Sequence, residues 1–213
     1  MNRSLQIFFV LLVFLLTLAC ISGCISFRTG DTHNTTVAVQ SYNAWVSSQK
    51  AFDRELRGSI TTIGNHVNTY NSEITKDQPN HSLLLENLAQ DRQVLDTWGS
   101  YLDELTAATD RFEQDTSKVS FGSTTTTTTK ETLALTTQYM KIYLVDMGNA
   151  REHLIEYVSN AEAYVLPDDP DYWNDKYRQN AMIAKEQALV SLEEGDAALE
   201  NLMLQAERLE KLQ

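Results

Sequence analysis

The chain has 213 residues, 42% of them hydrophobic, which is enough for one sizeable core. Its 17 lysines and arginines against 29 aspartates and glutamates give a formal net charge of −12. A chain this acidic, without a basic cluster, is repelled by nucleic acid and by anionic lipid headgroups, so we exclude a nucleic-acid partner.

The first predicted element is an N-terminal targeting segment. Arg3 precedes residues 4–27, which carry no charge, and residues 7–21 within that run are almost entirely apolar. A positive end followed by an apolar stretch and small residues is the layout of a secretory signal. The sequence therefore predicts that residues 1–23 are a signal peptide or a membrane anchor.

The residues Ile-Ser-Gly at positions 21–23 stand immediately before Cys24. This arrangement resembles the lipobox of prokaryotic lipoproteins, and the doublet of Cys20 and Cys24 is similar to lipoprotein starts in methanogenic archaea. In that family the cysteine thiol carries a diacylglyceryl group and the peptide is cut just before it. The resemblance, which ends at Cys24, implies that Cys24 is lipidated. Cys20 fits less well, because the residue three positions before it is polar.

An uncleaved membrane anchor is the main alternative, because the uncharged run is long enough to span a bilayer. A disulfide or metal pair between Cys20 and Cys24 is less favoured, since no nearby histidine or third cysteine would complete a site. In the lipoprotein and anchor interpretations alike, Arg3 stays inside and the rest of the chain lies outside the cytoplasm. We therefore expect a cell-membrane protein, lipid-anchored or single-pass.

Beyond this segment, residues 24–34 are predicted to be the lipidated cysteine with a short tether, and residues 35–213 a helical bundle. Three breaks interrupt the bundle: residues 76–82, a threonine-rich linker at 119–129, and residues 166–171. All three prolines of the chain fall in these breaks. Since proline removes a helical hydrogen bond and clashes one turn back, this placement is expected for four helices.

The four segments repeat apolar residues at alternating spacings of three and four, as amphipathic helices do. With short first and third breaks, this pattern predicts an all-α fold, an antiparallel four-helix bundle made of two long helical hairpins. The fourth segment carries mainly small residues at these positions, so a neighbouring helix can approach it closely. The predicted core includes Tyr42, Trp45, Phe52, Leu56, Ile63, Val67, Tyr70, Ile74, Leu84, Leu88, Leu95, Trp98, Leu102, Leu105, Phe112, Met140, Tyr143, Met147, Leu154, Tyr157, Tyr164, Tyr177, Ala181, Ala184, Ala188 and Leu202.

In each segment, the residues at these spacings of three and four form a mainly apolar row, called here the seam. Asp91 is the charged residue in the seam of the second segment. We expect it to reach solvent at the rim of the core, or to pair with an arginine such as Arg54 or Arg92, because an unpaired buried carboxylate is costly. The alternative is a buried acid that faces a pocket. We expect the aromatic residues at core spacing to fill the bundle rather than to line a ligand cage; they are Trp45, Trp98, Trp173, Tyr143, Tyr157 and Tyr164.

Two helix starts are predicted from capping patterns. Asp169 stands before Pro170, as a capping side chain followed by proline at the first helical position. Thr128 and Glu131 have the spacing of a capping box. The threonine run at residues 124–129 predicts a solvated linker, because β-branched residues begin helices poorly.

Glycosylation sites are predicted only outside the four helical segments. N-glycosylation sequons begin at Asn34 and Asn80, and each is a surface acceptor if the host glycosylates. The threonine run is alternatively an O-glycosylated patch.

We predict no catalytic residue, no metal ligand and no cofactor. The four histidines, His33, His66, His81 and His153, do not have the i, i+4 spacing that places two ligands on one helical face. The acidic turn at residues 167–175 lacks the EF-hand pattern, so helix capping explains its carboxylates better than calcium binding does.

The sequence therefore predicts a non-enzymatic protein, an interaction, scaffold or spacer module at the cell envelope with a protein partner. The alternative is a ligand-binding or sensory-type bundle that works through a membrane partner. In having a helical bundle after a membrane segment, the chain resembles the ligand domains of chemoreceptors. It departs from them because we expect no second membrane helix and no signalling domain.

Overall fold

The computed structural model describes residues 32–120, 126–167 and 173–211. They form four helices, α1 at Thr32–Glu73, α2 at His81–Ser117, α3 at Thr126–Val165 and α4 at Asp175–Lys211. Within this part of the chain 91% of residues are helical, none is in a strand, and consecutive helices pack closely. The predicted all-α four-helix bundle is confirmed.

Neighbouring helices run in opposite directions. Ser41 near the start of α1 bonds to Asp115 near the end of α2, whereas His66, farther along α1, bonds to Asp91. Residue numbers therefore fall on α2 as they rise on α1. The ion pairs that show the same relation between α2 and α3 are Glu113–Lys141 and Arg92–Glu162.

The helices contribute to two compact units, each with a segment of every helix. The described residues of the first unit are 32–51, 103–120, 126–146 and 193–211. Those of the second are 52–102, 147–167 and 173–192.

Most predicted seam residues are buried, including all those named from α3. The largest side chains of the core are aromatic: Trp45, Phe52, Trp98 and Phe112 are fully buried. The prediction that Tyr177 belongs to the core is wrong, because this residue is 39% exposed in the first turn of α4. The seam residues that are only half-buried are Val67, Ile74 and Leu102.

The threonine-rich linker is shorter than predicted, because α3 begins at Thr126. Thr128 and Glu131 therefore lie inside the helix, and the predicted capping box is wrong. Inside the helix the threonine hydroxyls bond back to the carbonyl one turn earlier. Thr132 Oγ1 donates to Thr128 O at 2.8 Å, and Thr136 Oγ1 donates to Thr132 O at 2.8 Å.

The other predicted boundaries also shift by a few residues. α4 begins at Asp175 rather than at Pro170, and Asn174 caps it by accepting the Lys176 amide at 3.0 Å on Oδ1. Asp169 and Pro170 lie outside the described residues. The predicted tether is also too long, because α1 already begins at Thr32.

In the second unit, Arg151 of α3 lies against the backbone of α2 at Gly99. Its Nε donates to the carbonyl oxygen of Leu95 at 2.6 Å. A Cβ on residue 99 would lie 2.9 Å from the Arg151 Cζ, which is closer than carbon atoms pack. Gly99 therefore makes room for a charged hydrogen bond to a carbonyl in the interior of a helix.

This contact predicts different effects for two glycine-to-alanine changes. Gly58, exposed in α1, has nothing within 4 Å of an added Cβ, so Gly58→Ala should raise the free energy of unfolding by about 1 kcal/mol. Gly99→Ala should not raise the free energy of unfolding. Its added Cβ displaces Arg151, which breaks a charged hydrogen bond worth about 1.5–3 kcal/mol. Urea unfolding measures both.

Arg151→Ala supplies the control. In that background Gly99→Ala should stabilise as much as Gly58→Ala does, since nothing is left to displace. Equal stabilisation by both alanines in the wild-type background would contradict the role assigned to Gly99.

Candidate functional site

Asp91 is fully buried in the second unit, so the expectation that it reaches solvent is wrong. Its partner is not an arginine. Asp91 Oδ1 lies 2.6 Å from His66 Nδ1 on α1, while Arg92 bonds to Glu162 of α3. Among the described residues, Asp91 Oδ2 has no hydrogen-bond partner. The structure confirms the burial of Asp91 that the alternative interpretation required, but Asp91 lines neither of the two grooves described below.

Aromatic side chains continue from this pair toward the connection between α3 and α4. The rings of Tyr70 and Tyr157 have centroids 6.5 Å apart, as do those of Tyr70 and Tyr164. Tyr164 meets Trp173 at 5.0 Å, and the Trp173 indole donates to the Pro167 carbonyl at 2.9 Å. The buried tyrosines pack against one another, as predicted for residues that fill the bundle.

Burial controls the electrostatics of this cluster. It raises the pKa of Asp91, while the hydrogen bond and the charge of His66 act in the opposite direction. Burial also raises the pKa of Tyr157, and the nearby Tyr70 and Asp91 add to that shift. The His66 side chain remains 16% exposed. In this pair the carboxyl group of Asp91 orients the imidazole ring of His66, and one edge of that ring reaches solvent.

The sequence contained a signal for His66 that the predicted seam passed over. His66 lies three residues after Ile63 and four before Tyr70, so it has the same seam spacing as Val67 beside it. Both positions are half-buried. At this point of α1, two adjacent residues, His66 and Val67, both lie at the edge of the seam.

The raised pKa of Asp91 predicts a pH dependence of stability. The folded protein keeps the Asp91 proton at pH values where the unfolded chain, with an ordinary aspartate pKa of about 3.9, has released it. On this account stability falls as pH rises from about 4 until the folded pKa is passed, and is constant above it. Asp91→Asn removes this contribution.

The measurement is urea unfolding of wild type and Asp91→Asn from about pH 4 to about pH 8, the range that contains the expected change. As the pH rises from about 4, the wild type should lose stability relative to Asp91→Asn. Asp103→Asn, at an exposed position of α2, is the matched control and should follow the wild type. A constant difference between wild type and Asp91→Asn would contradict the prediction.

A second feature of the same unit is an open groove of about 550 Å³ on the outside of α3 and α4, called here the α4 groove. Three large apolar side chains on α4 are more than half exposed in it: Met182 at 54%, Ile183 at 58% and Val190 at 53%. The residues that line the groove are His153, Met182, Ile183, Glu186, Gln187, Val190 and Ser191.

α4 is apolar on two sides in this unit. Ala181, Ala184 and Ala188 face the core and are buried, whereas Ile183 and Val190 are exposed. The predicted seam followed the alanines and missed this second stripe. Its signal is the seven-residue spacing between Ile183 and Val190, which places both on one helical face.

Two glutamates with exposed side chains lie at the α4 groove or beside it. Glu186 has a 67% exposed side chain and lies 3.4 Å from the Nζ of Lys185, whose own side chain is only 19% exposed. On the α3 side, Glu156 has a 57% exposed side chain and lies 3.9 Å from His153 Nδ1.

The first unit has an open groove of its own, of about 570 Å³. It contains Ile142 and Val145 of α3, which are 38% and 60% exposed. An ion pair between Lys141 and Glu113, with Nζ and Oε1 2.7 Å apart, forms part of its lining. The mixture of apolar and paired charged groups leaves it less apolar than the α4 groove.

The predicted modification sites fall in different places. Cys24 and Cys20 lie outside the described residues. Asn34 lies in α1 rather than in a break. Asn80 is exposed directly before α2, and its Oδ1 accepts the Leu83 amide at 3.1 Å, which makes it the cap of that helix.

Neither a metal centre nor a membrane span is found in residues 32–120, 126–167 and 173–211. No group of three or more histidine, cysteine, aspartate or glutamate side chains in these ranges is arranged to hold an ion. No helix there is long and apolar enough to cross a bilayer.

Comparisons with protein families, with curated proteins and with solved structures each found no match to this chain.

Proposed function

We propose that this protein is a membrane-anchored, extracytoplasmic helical bundle that serves as an interaction module and scaffold or spacer at the cell envelope, without enzymatic activity. The observation that carries the proposal is the α4 groove. Single exposed apolar residues are normal on protein surfaces. A cluster formed by Met182, Ile183 and Val190 in one groove is typical of a protein-binding face.

The energetics of the α4 groove favour binding of moderate strength. Fully burying an exposed valine, isoleucine or methionine side chain is worth about 1.5–3 kcal/mol. Since the three groove side chains are about half exposed, each retains about 1 kcal/mol to gain on contact with a partner. Association also costs rotational and translational freedom, so a partner must add contacts of its own.

The N-terminal sequence supports the anchored and spacer parts of the proposal. α1 begins at Thr32, eight residues after Cys24, and a tether of that length reaches about 28 Å at most. α1 is unbroken over 42 residues, which makes it about 63 Å long. The length of this unbroken helix is what supports the spacer role.

The anchor is tested by exchanging each cysteine for serine. Cys24→Ser should release the protein from membranes or leave its signal uncut, because the lipid would be attached to that thiol. Cys20→Ser is the matched control and should change little. Intact-mass measurement of the wild type decides the chemistry: an unmodified Cys24 with residues 1–23 still attached would exclude the lipoprotein interpretation.

The interaction role is tested with a photo-crosslinking amino acid in cells that naturally produce the protein. Placed at Val190, it should give one defined adduct with another protein of the envelope, because this side chain would lie in the interface. Placed at Gln179, an exposed polar position of α4 outside the groove, it should not. Identical adducts from both positions, or none from Val190, would contradict a binding role for the α4 groove.

The buried cluster supports a second candidate function, the ligand-binding or sensory-type bundle. Asp91 Oδ2 and the Tyr70 hydroxyl are buried without a hydrogen-bond partner among the described residues. Unsatisfied buried polar atoms are rare and call for an explanation. A small molecule that remains with the purified wild type, and is absent from Asp91→Asn, would favour this second function.

A further inference from the structure

We infer that the α4 groove receives an amphipathic helix of a partner protein, with basic residues on both sides of its apolar face. This inference rests on the proposed interaction role and adds the chemistry of the partner. Shape, backbone chemistry and charge each contribute to it.

The form of the α4 groove favours a helical occupant. Ile183, Gln187 and Val190 follow one another at spacings of four and three along α4. Side chains at this spacing form the ridges and grooves into which the side chains of a second helix fit, and the two ends of this row, Ile183 and Val190, are apolar. The binding mode is therefore the helix in a groove, in which anchors at i, i+3 or i+4, and i+7 enter the cleft.

The backbone of this region excludes the other common mode, addition of an extended strand. That mode requires a sheet edge with unpaired amide and carbonyl groups. The α4 groove is lined by residues in the interior of α3 and α4, where those groups are paired within the helices. A partner must therefore be recognised through side chains.

The charges of the rim select a basic partner over an acidic one. Glu186 and Glu156 have side chains that are 67% and 57% exposed beside the groove. Lys185, which lies 3.4 Å from Glu186, has a side chain that is only 19% exposed. Lysine or arginine on the flanks of a docked helix would meet these carboxylates, which favours fast association with the correct partner.

The same charges disfavour a second copy of this chain as the occupant. Two copies each carry a formal net charge of −12, so they repel one another before contact. A symmetric pairing through the α4 groove would also bring Glu186 near its own equivalent or near Glu156. Like charges placed together across an interface cost several kcal/mol.

The test uses two synthetic helical peptides with identical leucine anchors, one with lysine and one with glutamate on the flanks. Binding is measured by fluorescence anisotropy to the full chain in nanodiscs of zwitterionic lipid, with empty nanodiscs subtracted. The lysine peptide should bind at least about tenfold more tightly than the glutamate peptide, a difference of about 1.4 kcal/mol. The preference should shrink at high salt, because exposed charges are screened.

Three variants assign the binding to the groove. Ile183→Gln should weaken binding of the lysine peptide about fivefold, because it removes an apolar anchor worth about 1 kcal/mol. Glu186→Lys should weaken the lysine peptide and strengthen the glutamate peptide. Leu204→Gln, at a 52% exposed position of α4 in the first unit, is the matched control and should leave both affinities unchanged.

Each contrary outcome has a definite meaning. Equal binding of the two peptides, or no effect of Ile183→Gln, overturns the basic-helix inference even if crosslinks from Val190 persist and the interaction role stands. A wild-type dimer that sediments as monomer after Ile183→Gln overturns it in favour of a second copy. Selective peptide binding without any crosslink from Val190 supports the chemistry of the groove and contradicts the proposed envelope role.

Discussion

The alanine face of α4 is the constraint on which the second unit depends. Ala181, Ala184 and Ala188 are buried, and their short side chains allow the close packing of α4 with α3. Such a face brings little apolar area of its own out of water, so the larger aromatic and aliphatic residues of the other helices supply most of the core. Three large apolar residues of α4, Met182, Ile183 and Val190, lie instead on its outer side, where they form the α4 groove.

The Asp91–His66 pair does not fit an explanation from stability alone. Taking a carboxylate out of water is costly, and a buried pair of this kind is often no more stable than well-packed apolar residues of the same size. One oxygen of Asp91 also lacks a partner among the described residues. The pair does fix which faces of α1 and α2 meet, since no other register brings position 66 to position 91. Its cost is therefore compatible with a role in helix register, and with the ligand-binding alternative.

The seams of the bundle were predictable from sequence because helical period and burial are directly linked. Leu95, Trp98 and Leu105 follow that period and are fully buried. Helix starts were less predictable, since they depend on competing local bonds. The Thr132 hydroxyl bonds within α3, which a propensity argument for threonine does not anticipate. The partner of Asp91 lies 25 positions away on another helix, so only the packing of α1 on α2 could identify it. The α4 groove was not predicted because only one apolar row was assigned to each helix, and α4 has a second one on its exposed side.

The capping role of Asn80 changes how its sequon must be studied. A glycan would be attached to Nδ2, while the bond to the Leu83 amide uses Oδ1, so carbohydrate and cap are compatible on one side chain. The usual replacement of such an asparagine by glutamine would remove both at once, and losing a cap costs about 1 kcal/mol in itself. A defect in that variant could therefore come from the lost cap of α2 as well as from the lost glycan. Ser82→Ala abolishes the acceptor motif at an exposed position and leaves the cap intact, so it is the substitution that separates carbohydrate from helix.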